Sequence, residues 1–152
     1  MAQPPTIYKP GKLNYVWNYL SSTLDNFKAK LLGYRTYKAF LTQTGTDAPV
    51  AEIVENTLGL KASYTYDATG SYLLFTDNLI FNSPTETEDG RKIEVTITPG
   101  YTFNGALADT QFFAYPVFFN VVTINSWEGL TPKDDLLGYF CSTTLEIRVY
   151  NK

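Results

Sequence analysis

The 152-residue sequence contains no histidine and a single cysteine, Cys141. Without histidine the chain cannot form a Ser-His-Asp or Cys-His catalytic site, and no imidazole is available to bind zinc. With one cysteine it cannot form an intrachain disulfide, so folding does not depend on an oxidising compartment. These absences exclude common classes of hydrolase and metalloenzyme, and they predict that Cys141 is a small core residue.

Long hydrophobic runs and strong net charge are missing as well. The longest apolar run, Phe112 to Ile124, is too short to span a bilayer and contains Pro116 and Asn120. The opening Met-Ala-Gln-Pro-Pro is neither basic nor followed by the apolar region of a signal peptide. The net charge of -3 is small, and the basic residues do not cluster with aromatic residues along any predicted strand. We therefore expect no membrane segment and no nucleic-acid partner.

The composition that remains is that of a globular protein. Hydrophobic residues make up 44% of the chain, which is enough to build a core and excludes general disorder. Aromatic residues make up 16%, with 12 Tyr and 10 Phe. Such residues favour strands and large contact surfaces. The length predicts one domain with a helical appendage.

Large apolar residues recur at alternating spacings of four and three near the N-terminus, which is the heptad rhythm of a helical seam. Pro10-Gly11 precedes this stretch and Gly33 follows it, so we predict a helix over residues 13–33. Ser21-Ser22-Thr23 leaves two shorter helices as an alternative, and we favour one helix. The seam could pack on the chain's own sheet, on a copy of itself or on another protein. Its predicted members, as an oligomer interface, are Leu13, Trp17, Leu20, Leu24, Phe27 and Leu31.

Residues 1–12 are predicted to form an extended anchoring arm, because prolines favour a polyproline path. Residues 1–33 carry a local excess of three positive charges, so the remainder of the chain is acidic. A basic N-terminal segment of this kind suits attachment to an acidic protein surface, although solvated lysines on a helix are the commoner explanation. The arm residues that we single out are Pro4, Pro5, Tyr8 and Pro10.

In residues 34–152, apolar and polar residues tend to alternate with a period of two, which predicts strands. Asp67 to Gly70 marks a hairpin, and Ile93–Thr98 and Thr144–Tyr150 alternate apolar and polar residues. Phe112–Ile124 is apolar on both faces, which predicts one strand that is buried on two sides or faces a partner. About eight or nine short strands without a βαβ rhythm indicate a mainly β fold, an antiparallel β-sandwich for which a jelly roll is one arrangement.

No cluster of side chains indicates an active site, so we expect no enzyme and no cofactor or metal. The acidic loop with Glu86, Glu88 and Asp89 is a candidate calcium site, because carboxylates bind this ion. It lacks the ligand spacing of an EF-hand, however, and is better explained as a turn. Trp127 and Tyr101 are able to stack on sugars, although filling the core or subunit contacts is the commoner role of such residues.

Two stretches resemble a group of β-rich proteins from tailed phages and prophages of Bacteroidetes-type hosts, including crAss-like phages. They are Tyr37–Gly59, with the sequence YKAFLTQTGTDAPVAEIVENTLG, and Leu145–Asn151, with the sequence LEIRVYN. The resemblance covers about residues 34–152 and leaves out the arm and the helix. It implies a virion or phage-associated structural protein, assembled in the bacterial host cytoplasm, and no catalytic residue is implied.

The arm, the helix and the resemblance together lead to one hypothesis and one alternative. The hypothesis is a non-enzymatic virion subunit, of head-fibre, decoration or tail-fibre type, that is a homo-oligomer with a trimer favoured. Residues 1–12 would attach it to other virion proteins of the capsid or tail. The alternative is a module at the tip of a fibre that binds a receptor or a host-surface glycan.

Overall fold

The computed structural model describes residues 10–99, 110–134 and 143–152. The chain divides into two compact units, Met1–Gly33 and Tyr34–Lys152. Three of the predicted arm residues, Pro4, Pro5 and Tyr8, lie outside the described residues, as do Tyr101 and Cys141.

The first unit contains one helix, α1, which runs from Pro10 to Leu32. The predicted extended arm is therefore too long, because Pro10, Gly11 and Lys12 are helical. Proline is well suited to the first helical position, where its missing N–H would have no partner in the helix. After α1, Gly33 has a φ of 76°, the left-handed conformation that commonly ends a helix.

The helix continues through Ser21-Ser22-Thr23, which confirms one helix rather than two. The hydroxyl of Ser22 donates to the Tyr19 carbonyl at 3.0 Å, and the hydroxyl of Thr23 donates to the same oxygen at 2.8 Å. Such bonds back to the preceding turn satisfy these side chains without breaking the helix.

The second unit consists of eleven strands among the described residues, arranged in two large antiparallel sheets and one small hairpin. Sheet A has the order β2-β1-β11-β7, and sheet B has the order β10-β9-β4-β3 with β8 paired to β9; β5 pairs with β6. The strands are β1 Tyr34–Thr42, β2 Val50–Asn56, β3 Ala62–Ala68, β4 Ser71–Thr76, β5 Phe81–Ser83, β6 Glu86–Thr87, β7 Ile93–Thr98, β8 Thr110–Phe118, β9 Val121–Glu128, β10 Thr131–Pro132 and β11 Thr143–Tyr150.

The predicted mainly β, antiparallel sandwich with one N-terminal helix is confirmed. One core cluster is shared by both sheets, because alternate residues of each strand point inward. The jelly-roll arrangement, in which most successive strands lie in opposite sheets, does not describe the topology, since β1–β2, β3–β4 and β8–β9 each pair within one sheet. The centre of the core consists of Tyr37, Ala39, Leu41, Tyr72, Leu74, Val122, Ile124, Leu145, Ile147 and Val149.

The prediction of a single strand over Phe112–Ile124 is wrong, because the chain turns back between β8 and β9. Phe119 lies in that turn with a φ of 44°, and the side-chain amide of Asn120 donates to the Thr76 carbonyl at 2.8 Å. Asn120 is a common turn residue, but the apolar residues on both sides of it led to the prediction of a continuous strand. The acidic loop with Glu86, Glu88 and Asp89, which the sequence predicts as a turn, likewise contains the short strand β6, Glu86–Thr87.

Two buried tyrosines, Tyr37 and Tyr72, and the half-buried Tyr64 connect the two sheets and predict how the fold responds to alkali. The Tyr37 and Tyr64 hydroxyls lie 3.0 Å apart, and the Tyr72 hydroxyl lies 3.0 Å from the Gln43 side-chain oxygen. Burial raises the pKa of all three tyrosines above the ordinary value. Because the folded-state pKa is the higher one, their contribution to stability is complete below about pH 10, the unfolded value, and is lost as pH rises further.

We therefore expect a late step in the tyrosine titration. In an absorbance titration of tyrosinate, Tyr37, Tyr64 and Tyr72 should ionise above the ordinary tyrosine value of about pH 10 and only together with loss of near-ultraviolet circular dichroism. The variant Tyr64→Phe should reduce the amplitude of the late step. A single smooth titration of every tyrosine near pH 10, with the fold intact, would contradict this assignment.

Candidate interaction surfaces

The side chains of the helical seam are largely exposed. Trp17, Leu20, Leu24, Phe27 and Leu31 are 73%, 48%, 67%, 66% and 75% exposed. The side chain of Leu13 lies outside the part of the chain that is described. Isolated helices gain little stability from propensity alone and depend on packing of an apolar face. Within the first unit, these side chains are therefore left with little burial.

The apolar stripe is wider than the seam itself. Val16 lies beside it and is 51% exposed. In heptad terms, Val16 occupies a flanking position next to the seam, whereas a two-stranded coiled coil needs only the narrow stripe. A stripe of this width is typical of a helix that packs against more than one neighbour.

The second candidate surface is the outward face of sheet B, which we call the aromatic face. It is formed by the outward residues of β8, β9 and β4, which the strand register places in rows. One row runs from Leu73 through Thr123 to Tyr115, and the next from Ser71 through Asn125 to Phe113. Its members are Gln111, Phe113, Tyr115, Val117, Val121, Thr123, Asn125, Trp127, Ser71, Leu73 and Phe75.

None of these side chains of β8, β9 and β4 is itself charged, although the Ser71 hydroxyl donates to the Asp67 carboxylate of β3 at 3.3 Å. The side chains of β8 are the most exposed. Phe113, Tyr115 and Val117 are 47%, 47% and 54% exposed. The side-chain amide nitrogen of Asn125 lies 3.5 Å from the Tyr115 hydroxyl, so polar groups that carry no charge stand between the rings. The apolar stretch is not buried on both faces, because its outward side chains are half-buried or exposed; that it faces a partner stays a prediction. On β8, Pro116 faces the core and its neighbours face outward.

The outward face of sheet A is different, because it carries a charged network. The Arg148 guanidinium lies 2.6 Å from the Glu146 carboxylate and 3.5 Å from that of Glu94, and it stands 5.2 Å from the centre of the Tyr34 ring. The Tyr150 hydroxyl donates to Glu94 at 2.9 Å, a hydrogen bond that raises the pKa of Tyr150. This pattern is ordinary for a solvated sheet face, so the lack of charge on the aromatic face is a property of that side alone.

A shallow groove borders the aromatic face where the edge strands β7 and β8 lie beside each other. Its volume is about 300 Å³, and both strands contribute uncharged side chains to its lining. From β7 these include Val95 and Ile97, and from β8 Phe113 and Tyr115. The exposed rings of β8 therefore belong both to the flat face and to the groove.

The acidic loop is organised around an internal ion pair. The Asp89 carboxylate lies 2.7 Å from Arg91 Nε and accepts a hydrogen bond from the Thr87 hydroxyl at 2.5 Å. These contacts, chiefly the one to Arg91, lower the pKa of Asp89. Within residues 10–99, 110–134 and 143–152, no group of three or more carboxylate or cysteine side chains is placed to hold a metal ion.

Sequence reasoning identified some of these residues and missed others. The seam was readable from its spacing, and Trp127, named for its capacity to stack on sugars, is half-buried on the aromatic face. Phe113 and Tyr115 were not singled out, although their alternation with Ala114 and Pro116 was visible. What the sequence does not show is the register that sets them beside Asn125 and Thr123.

Comparison with known proteins adds no family to these observations: no family model, curated protein or solved structure matches the chain. In the part of the chain that is described, no helix has the length and apolar character needed to cross a membrane.

Proposed function

We propose that this chain is a non-enzymatic structural subunit of a bacteriophage virion and that it assembles as a trimer through α1. The observation that carries the proposal is the exposed seam, whose five described members are 48–75% exposed. Fully burying a large apolar side chain contributes roughly 1.5–3 kcal/mol. Association of several such helices would therefore be strongly favourable.

A trimer accounts for the width of the apolar stripe better than a dimer. Trp17 and Phe27 are large for a two-stranded seam, and Val16 widens the stripe on one side. Three helices bury a wider stripe around a common axis than two helices do. The positions that flank the seam in the last two turns carry Lys28 and Lys30, and basic residues near a helix C-terminus interact favourably with its dipole.

The N-terminal arm gives the proposal its second part, attachment. Residues 1–12 would bind other virion proteins, of the capsid or of the tail, with lysines suited to an acidic surface. The sandwich, which follows the helix in the chain, would then be held at the particle. The resemblance of residues 34–152 to phage-associated proteins supports the same context.

The composition of purified particles tests the virion assignment. We expect mass spectrometry of gradient-purified phage particles to detect this chain, with a copy number per attachment site that is a multiple of three. Particles purified from a phage with the coding region of residues 1–12 deleted should lack the chain, although infected cells still contain it. Detection in infected-cell lysate but in no intact purified particle would contradict the assignment.

A further inference from the structure

We infer that the aromatic face and its bordering groove form a binding site for a neutral saccharide chain. This site is separate from the helical seam, and the inference does not depend on how α1 assembles. It follows from three properties of the surface: its size, its lack of charge, and the kind of polar groups that stand beside the rings.

The most exposed apolar side chains, Phe113, Tyr115 and Val117, present too little area by themselves for a lasting protein interface. Aromatic side chains have roughly 150–250 Å² each, so the half-exposed Phe113 and Tyr115 together present about 200 Å². A stable protein–protein interface buries about 800 Å² on each partner. Even with Val117 added, the patch falls well short of that area. The groove, at about 300 Å³, lies at the lower end of the range of small-ligand sites.

The lack of charge decides the chemical class of the ligand. The eleven outward residues of β8, β9 and β4 include no acid and no base. A surface that binds nucleic acid or an acidic glycan uses lysine or arginine to contact the anion. A cationic ligand would need carboxylates beside the rings, whereas the Asp67 carboxylate lies against Ser71, at the other end of the row from Phe113. What remains is a neutral ligand that has both apolar and hydrogen-bonding faces.

Neutral sugars have that character, because the C–H groups of a pyranose ring form an apolar face and its hydroxyls lie around the edge. Phe113 and Tyr115 are two residues apart on one strand, which separates their attachment points by roughly 7 Å. That separation allows the two rings to contact neighbouring parts of one saccharide chain. Asn125 and Thr123, directly opposite them in the register, supply amide and hydroxyl groups for the sugar hydroxyls.

Affinity electrophoresis of the full-length chain tests the site. Native gels would contain, one at a time, a soluble neutral glucan, mannan, xylan, galactan or chitin oligomer, and polygalacturonate as an anionic control. We expect at least one neutral polysaccharide to retard the protein and polygalacturonate to leave its mobility unchanged. Phe113→Ala and Tyr115→Ala should each weaken the retardation by about tenfold in apparent affinity, and Phe113→Tyr should retain it.

The matched control is Phe40→Ala, which removes a phenylalanine that is 36% exposed on sheet A. It should leave the retardation unchanged, and circular dichroism would verify that all variants fold. No retardation by any neutral polysaccharide, or equal loss in Phe40→Ala, would overturn the inference. So would a fall in solution mass caused by Tyr115→Ala, because the face would then be a contact between copies. None of these results tests assembly through the helical seam. That proposal would be contradicted instead by a wild-type protein that is monomeric.

Discussion

Replacing Gly70 with alanine is expected to destabilise the sandwich by roughly 2–5 kcal/mol. Gly70 joins β3 to β4 with a φ of +66°, and a Cβ atom there would lie 2.4 Å from the Ser126 carbonyl oxygen and 2.6 Å from the Lys133 amide nitrogen. Both are backbone atoms of neighbouring segments, so neither can rotate away. The left-handed conformation alone costs an alanine about 1–2 kcal/mol, and the overlap adds to it.

The hydrogen bonds around Gly70 explain why the backbone cannot move aside. The Gly70 N–H donates to the Asp134 carboxylate at 2.7 Å, and the Gly70 carbonyl accepts from the Ser126 N–H at 2.8 Å. The same carboxylate lies 3.1 Å from the Tyr72 hydroxyl. A shift that relieved the overlap would break bonds in a region where lost partners are costly.

Gly59 offers a matched control for this prediction. It has the same φ of +66°, but a Cβ atom there would meet nothing within 4 Å. Gly59→Ala should therefore lower the free energy of unfolding only by the cost of placing alanine in the left-handed conformation, about 1–2 kcal/mol. Denaturant-induced unfolding of the two variants, compared by their midpoints, measures the difference. Equal losses would show that the close approach at Gly70 is not what fixes the residue.

The sequence predicts those parts of this fold whose structure depends mainly on the residues nearby in the chain. Leu145, Ile147 and Val149 alternate with polar residues, and the structure buries all three. The hairpin at Asp67–Gly70 was readable because its turn residues have a strong preference for that geometry. Likewise the helix could be predicted from its spacing, although its start at Pro10 was placed too late.

Other features depend on contacts between distant residues, and no local pattern reports them. The turn at Phe119-Asn120 is held by Asn120 against Thr76, which is 44 positions away, so it reads as continuous strand in the sequence. Asp134, which reads as an ordinary turn residue, binds the Gly70 amide from 64 positions away. The aromatic face is similarly invisible, because it exists only once three strands are in register.

Disrupting the helical seam is expected to have the second large effect, the loss of assembly. In the double variant Leu20→Lys with Leu24→Lys, two cations would lie at the contact between copies, where burying a charge without a partner costs several kcal/mol. The matched control is Asn18→Lys with Ser22→Lys. It adds the same charge at the same spacing on the opposite side of α1, away from the seam.

Sedimentation velocity at micromolar concentrations tests self-association through the seam most directly. We predict that the wild-type chain and the Asn18→Lys, Ser22→Lys control have a mass three times that of the 17.1 kDa chain. The Leu20→Lys, Leu24→Lys variant should sediment as a folded monomer, with the near-ultraviolet spectrum of the sandwich unchanged. A wild-type protein that is monomeric across this range, or a seam variant that keeps the mass of the wild type, would contradict the account.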